Sequence, residues 1–148
     1  MMRVAIGADH AGFKAKEALK GALQKLGHSV IDLGTNSEES TDYPDYARKV
    51  AELVSRREAD RGVLVCGTGI GMSMAANKVA GVRAAVVTSE ETARMSRAHN
   101  DANVFCAGAR VTDPATLERA LKAWLETPFE GGRHERRVKK INELDRTK

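Results

Sequence analysis

A cysteine and three glycines lie close together in Cys66-Gly67-Thr68-Gly69-Ile70-Gly71, between a strand-like run and a helical pattern. Glycines leave the main chain open to a ligand, and amides exposed at the start of a helix bind anions. A thiolate at Cys66 could take a proton from the carbon beside a carbonyl while these amides hold the enolate oxygen. An equally good interpretation is that Cys66 is the last core residue of its strand.

Three well-known loops do not match this segment. A Walker loop ends in Gly-Lys-Ser/Thr, whereas Gly71 is followed by Met72 and Ser73. A dinucleotide fingerprint needs GxGxxG and an acidic residue about twenty positions further on, where this chain has Thr88. A cysteine phosphatase needs an arginine at the position of Met72. A thiol beside an oxyanion-binding loop is the interpretation that remains.

Two other short segments carry groups suited to acid–base chemistry. Asp9-His10 follows the first predicted strand, where both side chains would face a ligand, although Asp9 could instead cap the next helix. His99-Asn100-Asp101 ends a predicted helix whose inner face is small and polar. A single histidine is seldom a catalyst, so position alone makes His99 a weak candidate.

The last predicted helix, at about 133–145, carries two arginines on one face, because Arg133 and Arg137 are four residues apart. They flank an apolar stripe that consists of Val138, Ile141 and Leu144. Two guanidinium groups at the edge of a buried stripe could converge on a phosphate. Charge alone favours the alternative, a solvated basic helix.

The elements that must position these groups alternate between strands and helices. Five apolar runs are typical of strands and lie at 3–8, 29–33, 62–66, 82–87 and 104–107. Helical patterns lie at 13–26, after Pro44, and at 70–80, 90–100, 114–126 and about 133–145. This alternation predicts a doubly wound, Rossmann-like α/β/α fold with a five-stranded parallel sheet. Ligands of such sheets bind beyond the carboxyl ends of the strands.

The composition limits the class of protein. With 148 residues, 42% of them apolar, and no run near the roughly 20 residues of a membrane span, we expect one cytoplasmic domain over residues 1–148. Two cysteines cannot form a disulfide framework, and Cys106 is expected in the core. The segment 133–148 carries the whole net charge of +4 and could bind nucleic acid, a membrane or a small anion. Only 4% of residues are aromatic, which disfavours nucleic acid.

Taken together and in order, six motifs resemble the ribose-5-phosphate isomerase B family, the RpiB/LacAB sugar-phosphate isomerases, over nearly the whole chain. The motifs are Gly7-Ala-Asp-His-Ala-Gly-Phe13, Thr41-Asp-Tyr-Pro44, Cys66 to Gly71 with Ala75-Ala-Asn-Lys78, Ser96-Arg-Ala-His-Asn-Asp101, Gly108-Ala-Arg110 and Glu130-Gly-Gly-Arg-His134. The resemblance implies an enzyme without metal or cofactor that interconverts ribose 5-phosphate and ribulose 5-phosphate through a cis-enediolate, in the non-oxidative branch of the pentose phosphate pathway.

The resemblance also implies roles for individual residues. Cys66 would be the base, assisted by Thr68, and His99 would open the furanose ring. The amides of Gly67, Thr68, Gly69, Ile70 and Gly71 would hold the enediolate. Phosphate and sugar contacts would come from His10, Arg133, Arg137, Asp9, Tyr43, Asn100 and Arg110. One branch of the family has a glutamate base in place of the cysteine; the corresponding position here is Met72, so this chain resembles the cysteine branch.

The family resemblance further implies a homodimer, or a tetramer of two such dimers, with active sites shared between subunits. The sequence leaves open which side chains cross. Allose 6-phosphate and galactose 6-phosphate are alternative substrates within the family. A noncatalytic sugar-phosphate sensor is the alternative from another functional class, and neither nucleic acid nor a membrane is an expected partner.

Overall fold

The computed structural model describes residues 1–147, so Lys148 of the predicted basic segment lies outside the described residues. The strands are β1 (Arg3–Ala8), β2 (Ser29–Asp32), β3 (Arg61–Cys66), β4 (Ala84–Val86) and β5 (Val104–Gly108). The helices are α1 (Phe13–Lys25), α2 (Tyr43–Ser55), α3 (Ile70–Ala76), α4 (Glu90–Ala98), α5 (Pro114–Glu126) and α6 (Arg133–Glu143). Short 3-10 turns at His10–Gly12 and Leu144–Thr147 complete the described part.

The five strands form one sheet in the order β2-β1-β3-β5-β4, and every pair is parallel. This confirms the predicted α/β fold with a five-stranded parallel sheet. The strand order reverses between β1 and β3, which places the crevice of the sheet where these two strands end. Asp9 follows β1 and Cys66 ends β3 at this crevice.

The core lies in two layers because successive residues of a strand point to opposite faces of the sheet. On one face, residues such as Val63, Val65 and Phe105 pack against α1, α4 and α5. On the other face, Leu64, Cys66 and Cys106 pack with residues of α2 and α3. The side chain of Cys66 therefore lies on the α2 and α3 side of the sheet.

Several residues begin or end helices as the sequence predicts. Pro44 lies in the first turn of α2, and the carboxylate of Asp113 accepts a hydrogen bond from the amide of Thr116 at the start of α5. Gly27 has a φ of +86° and ends α1. None of the helices formed by residues 1–147 is long and apolar enough to span a membrane.

The region after β3 is shorter than its pattern predicts. Helix α3 ends at Ala76 instead of continuing to residue 80, and β4 has only three residues. The cause is the side chain of Asn77, which donates to the carbonyl of Ala84 and accepts from its amide at 3.0 and 2.8 Å. This paired contact turns the chain directly into β4.

The apolar stripe of α6 is only partly buried, so the expectation of a buried stripe was wrong. Val138 is buried, whereas Ile141 and Leu144 are 44% and 64% exposed. Helix α6 also has a polar contact with the remainder of the chain, from Arg83 to Asn142. Ile141 of α6 and Leu144, directly after this helix, therefore face outward.

Candidate active site

The thiol of Cys66 lies at the end of β3, directly before the glycine loop. It is 5% exposed, and its Sγ accepts a hydrogen bond from the amide of Gly69 at 3.1 Å. Cys66 therefore belongs to the core and also faces the loop, so the two interpretations of this residue are compatible.

The loop lies flat against β5 because its glycines permit close contact between the two backbones. Gly69 has a φ of +84°, and a Cβ atom there would lie 2.9 Å from the carbonyl carbon of Ala107. A Cβ atom on Gly108 would lie 2.5 Å from the backbone of Thr68. The same loop holds the hydroxyl oxygen of Thr68 3.2 Å from the amide of Ile70, from which it accepts.

Asp9 and His10 lie beside the thiol, at the end of β1. The amide of Asp9 donates to the carbonyl of Val65, one residue before Cys66. The carboxylate of Asp9 is buried and accepts from the amide of Gly12, so Asp9 does cap the turn that follows. Nδ1 of His10 accepts from the amide of Thr41 at 3.2 Å, which leaves Nε2 of a neutral ring as a donor.

Tyr43 and Arg110 complete this side of the sheet. The ring of Tyr43 lies against Gly71, where a Cβ atom would be 2.5 Å from the ring. The guanidinium of Arg110 lies over Gly67, and the two residues also share a main-chain hydrogen bond of 3.0 Å. We call these groups the carboxyl-edge cluster: Asp9, His10, Tyr43, the segment from Cys66 to Gly71, and Arg110.

His99 lies at the other edge of the sheet. Helix α4 leaves the carboxyl end of β4 and returns the chain to the amino edge, where β5 begins at Val104. Cys66 pairs with Gly108 at the far end of β5. Four residue steps of a strand span about 13 Å, so His99 and Cys66 of one chain belong to opposite edges.

The C-terminal helix lies beside His99. The amide of Glu130 donates to the carbonyl of Ala98 at 3.0 Å, and the rings of His99 and His134 are stacked. The side chain of Arg83, directly before β4, donates to Asn142 of α6. We call the following residues the amino-edge cluster: His99, Asn100, Glu130, Arg133, His134 and Arg137.

Both predicted phosphate-binding arginines of α6 belong to the amino-edge cluster. Arg133 and Arg137 are exposed on either side of the buried His134. Asn100 is exposed next to His99. The structure thus brings Cys66, Asp9 and His10 together, and it brings His99, Asn100 and the arginines together, but it separates the two sets.

Burial determines the chemistry of two further groups. Burial, reinforced by the charge at Cys66, raises the pKa of the Cys106 thiol far above its usual value. Cys106 is fully buried among apolar side chains, as predicted for a core residue. Met72, in the first turn of α3, is also fully buried, and its thioether is neither an acid nor a base.

His99, His134 and Glu130 are the kinds of residue that bind a metal ion, and their donor atoms lie within 4.8 Å of one another. A metal ion binds an imidazole nitrogen along the lone pair, in the plane of the ring. The two rings are stacked with only 16° between their planes, so their lone pairs run side by side and do not converge. The geometry fits a histidine stack that shares a carboxylate, and does not fit a metal centre.

Sequence patterns missed a buried lysine. The ammonium group of Lys16 in α1 has no exposed surface and lies 2.9 and 2.8 Å from the two carboxylate oxygens of Asp32. The same carboxylate accepts a hydrogen bond from the amide of Gly34. Gly34 begins the segment that continues to Thr41, whose amide donates to His10. No periodicity marks this pair, because Lys16 lies beside the apolar stripe of α1.

A doubly wound α/β sheet with a thiol and an amide-rich loop at its crevice has the features of an enzyme that binds a small anion. The chain belongs to the Ribose/Galactose Isomerase family, whose model matches residues 4–141.

Individual relatives agree with this assignment. The chain is 46% identical to ribose-5-phosphate isomerase B of Escherichia coli strain K12 over 145 residues. This alignment covers 98% of this chain and 97% of that protein. A structure of Clostridium thermocellum ribose-5-phosphate isomerase B superposes with a TM-score of 0.97 at 49% identity, over 99% of both chains. Ribose-5-phosphate isomerase B of Mycoplasma genitalium with bound ribulose-5-phosphate superposes with a TM-score of 0.95 at 40% identity, over 99% of this chain and 97% of that chain.

Proposed function

We propose that this protein interconverts D-ribose 5-phosphate and D-ribulose 5-phosphate, with Cys66 as the group that carries the proton between C1 and C2. The observation that carries the proposal is the Cys66 thiol, 3.1 Å from the amide of Gly69 at the crevice of the sheet. High identity to enzymes named for this reaction supports the substrate class. The reaction belongs to the non-oxidative branch of the pentose phosphate pathway, and we expect it in the cytoplasm.

The proton transfer begins on the open-chain aldose. The thiolate of Cys66 takes the proton from C2, a double bond forms between C1 and C2, and the electron pair of the aldehyde moves to O1. The proton held by Cys66 then returns to C1, while the proton of the C2 hydroxyl passes to O1 and C2 becomes the ketone. Because Cys66 returns the proton that it took, it ends the reaction in the form in which it began, and no other acid or base is needed for the transfer between the two carbons.

The loop stabilises the charge that develops in this step. Main-chain N–H groups between Gly67 and Gly71 are held in place before substrate binds, so they need no reorganisation when O1 becomes negative. The hydroxyl of Thr68 already accepts from the amide of Ile70, which leaves its own hydrogen free to donate. Thr68 is therefore suited to move a proton between O1 and O2.

The remaining predicted contacts fall into two groups, those with the phosphate and those with the sugar hydroxyls. His10, Arg133 and Arg137 supply donors for the phosphate, and the donor of His10 is Nε2–H, because Nδ1 is occupied. The sugar hydroxyls are left to four side chains, Asp9, Tyr43, Asn100 and Arg110. Binding of the phosphate, which does not react, holds the short sugar in register with the thiol.

We further propose that each active site combines the carboxyl-edge cluster of one chain with the amino-edge cluster of a second copy. The topology supports this, because His99 and Cys66 of one chain lie at opposite edges of the sheet. A homodimer in which these edges meet supplies two complete sites, as two-fold symmetry requires. A tetramer would pair two such dimers.

Exposed apolar side chains lie beside both clusters and support association. Ile70 and Met74 on α3 are 50% and 64% exposed next to the glycine loop. Ile141 and Leu144 are exposed next to the amino-edge cluster, beside a cavity that Val82 also lines. A second copy would remove these side chains from water, and the mass measured in solution tests this expectation. An active monomer would contradict the shared site.

The two cysteines provide a matched test of the proposed base. Cys66→Ala should lower the turnover of ribose 5-phosphate at least about a hundredfold, the usual contribution of a positioned base. Cys106→Ala removes the other thiol from the same face of the sheet and should keep catalysis. Turnover by Cys66→Ala at the wild-type rate would refute the role of Cys66, and binding of the sugar phosphate without turnover by the wild type would indicate a sensor.

The family name includes a hexose substrate, so the length of the sugar needs its own measurement. We expect a higher kcat/KM for ribose 5-phosphate than for allose 6-phosphate or galactose 6-phosphate. The presence of Cys66, His99 and both arginines in one sequence supports a self-sufficient pentose enzyme. Activity on allose 6-phosphate without activity on ribose 5-phosphate would reverse the assignment.

A further inference from the structure

The ring of His99 is covered by a second histidine. The centroids of His99 and His134 are 4.3 Å apart, with 16° between the ring planes. Nε2 of His99 and Nε2 of His134 lie 3.8 and 3.6 Å from one oxygen, Oε1 of Glu130. The side chain of His134 is 11% exposed, whereas that of His99 is 37% exposed. His99 therefore has one covered face and an accessible edge.

The charged groups around the stack come from three parts of the chain. Glu130 precedes α6, Arg133 and Arg137 lie on α6 beside His134, and His99 ends α4. Burial lowers the pKa of His134, the charges of His99, Arg133 and Arg137 lower it further, and Glu130 acts in the opposite direction. The neutral form of His134 is therefore favoured at pH 7.

We propose that His134 and Glu130 are positioning residues for ring opening by His99: the stacked ring fixes the plane of His99, and Glu130 faces its Nε2. This inference rests on the proposed function. An imidazole donates in its ring plane, so a tilt of that plane moves the N–H away from its target. A neutral His134 adds no positive charge beside the ring on which it stacks, and the carboxylate of Glu130 lies near Nε2 of both rings.

The step that these residues serve is the opening of the furanose. His99 gives a proton to the ring oxygen as the bond between that oxygen and C1 breaks with its electron pair on the oxygen. The hydroxyl on C1 loses its proton to water and becomes the aldehyde. His99 then recovers a proton from water, so that the overall proton count is unchanged.

Two measurements on the same variants separate ring opening from the chemistry at Cys66. Ribulose 5-phosphate cannot form a furanose, because its C5 oxygen carries the phosphate. Exchange of its C1 hydrogen with D₂O, followed by NMR, therefore reports only the enediolate step. Turnover of ribose 5-phosphate requires ring opening as well. Cys66→Ala should abolish both.

His134→Ala should lower the turnover of ribose 5-phosphate by about ten- to a hundredfold, the range for a misplaced catalytic group. Deuterium exchange into ribulose 5-phosphate should stay within about twofold of wild type, which also shows that the variant is folded. His134→Phe retains an aromatic face and should recover most of the turnover. Glu130→Gln removes the negative charge that faces Nε2 of both rings, and it should lower the turnover of ribose 5-phosphate more than the deuterium exchange.

Unchanged turnover in His134→Ala, or an equal loss of turnover and exchange, would overturn the inference. Equal defects in His134→Phe and His134→Ala would also overturn it, because the stack would then not be the active feature. A wild-type protein that neither turns over ribose 5-phosphate nor exchanges ribulose 5-phosphate would instead refute the proposed function. The two failures are thus distinguishable.

Discussion

Removing the charge of Asp32 should destabilise the fold much more than removing that of its neighbour Glu17. The fully buried ammonium of Lys16 lies 2.9 and 2.8 Å from the two oxygens of Asp32 and 3.0 Å from Glu17. In Asp32→Asn, Lys16 stays buried and loses the carboxylate that neutralises it from both oxygens. Loss of one partner of a buried ion pair costs about 3–5 kcal/mol, and the remaining Glu17 contact reduces the expected loss to about 2–3 kcal/mol.

The matched control is Glu17→Gln. Glu17 also contacts Lys16 but is 43% exposed, so its contribution to the free energy of unfolding should be below about 1 kcal/mol. Urea unfolding at pH 7, followed by circular dichroism at one protein concentration, measures both variants. A loss below about 0.5 kcal/mol for Asp32→Asn, or equal losses for the two variants, would refute the reasoning.

The same pair predicts how stability depends on pH. Burial alone would raise the pKa of Asp32, but hydrogen bonds from Lys16, the amide of Gly34 and Lys20 outweigh it, and the net pKa is lowered. A carboxyl group whose pKa is lowered by folding stabilises above its unfolded pKa of about 3.9, and this contribution is lost as the pH falls further. The difference between wild type and Asp32→Asn should therefore be constant near pH 7 and shrink below about pH 4.

Three other predictions follow from single positions. Arg137→Ala should raise KM about ten- to a hundredfold with little change in Tm, whereas Arg136→Ala on the same helix should change KM little; a large loss of Tm with unchanged KM would contradict phosphate binding. Gly69→Ala should lower the free energy of unfolding by at least about 1–2 kcal/mol and remove most of the activity, because φ is +84° and the new Cβ atom would meet β5. The control Gly21→Ala has open space around its Cβ atom and should stabilise the protein slightly in urea titrations. Asp113→Ala should cost about 1 kcal/mol by losing the cap of α5, and an unchanged unfolding midpoint would contradict this.

Most of the fold could be predicted because parallel strands are buried on both faces. Such strands appear as continuous apolar runs, and β1, β3 and β5 coincide with the predicted runs to within one residue at each end. The early end of α3 could not be predicted, because it depends on the contact between Asn77 and Ala84 across a turn. A side chain that bonds to distant main chain leaves no periodic signal.

The candidate site was predictable in part. Residues that follow a strand, such as Asp9 and Cys66, lie at the carboxyl edge as the general rule for α/β sheets requires. His99 precedes β5, and the same rule applied to that position would have placed it at the opposite edge. The stack of His99 on His134 and the burial of Lys16 depend on packing between distant segments, which a single sequence does not reveal.

A purified heterodimer tests the shared active site most directly. Cys66→Ala and His99→Ala chains would be co-expressed with different tags, and the species that carries both tags would be assayed with ribose 5-phosphate. If each site takes Cys66 from one chain and His99 from the other, one of the two sites is intact, and the heterodimer should have about half of the wild-type kcat. A heterodimer no more active than the two variants alone would contradict the account, because both groups would then come from the same chain.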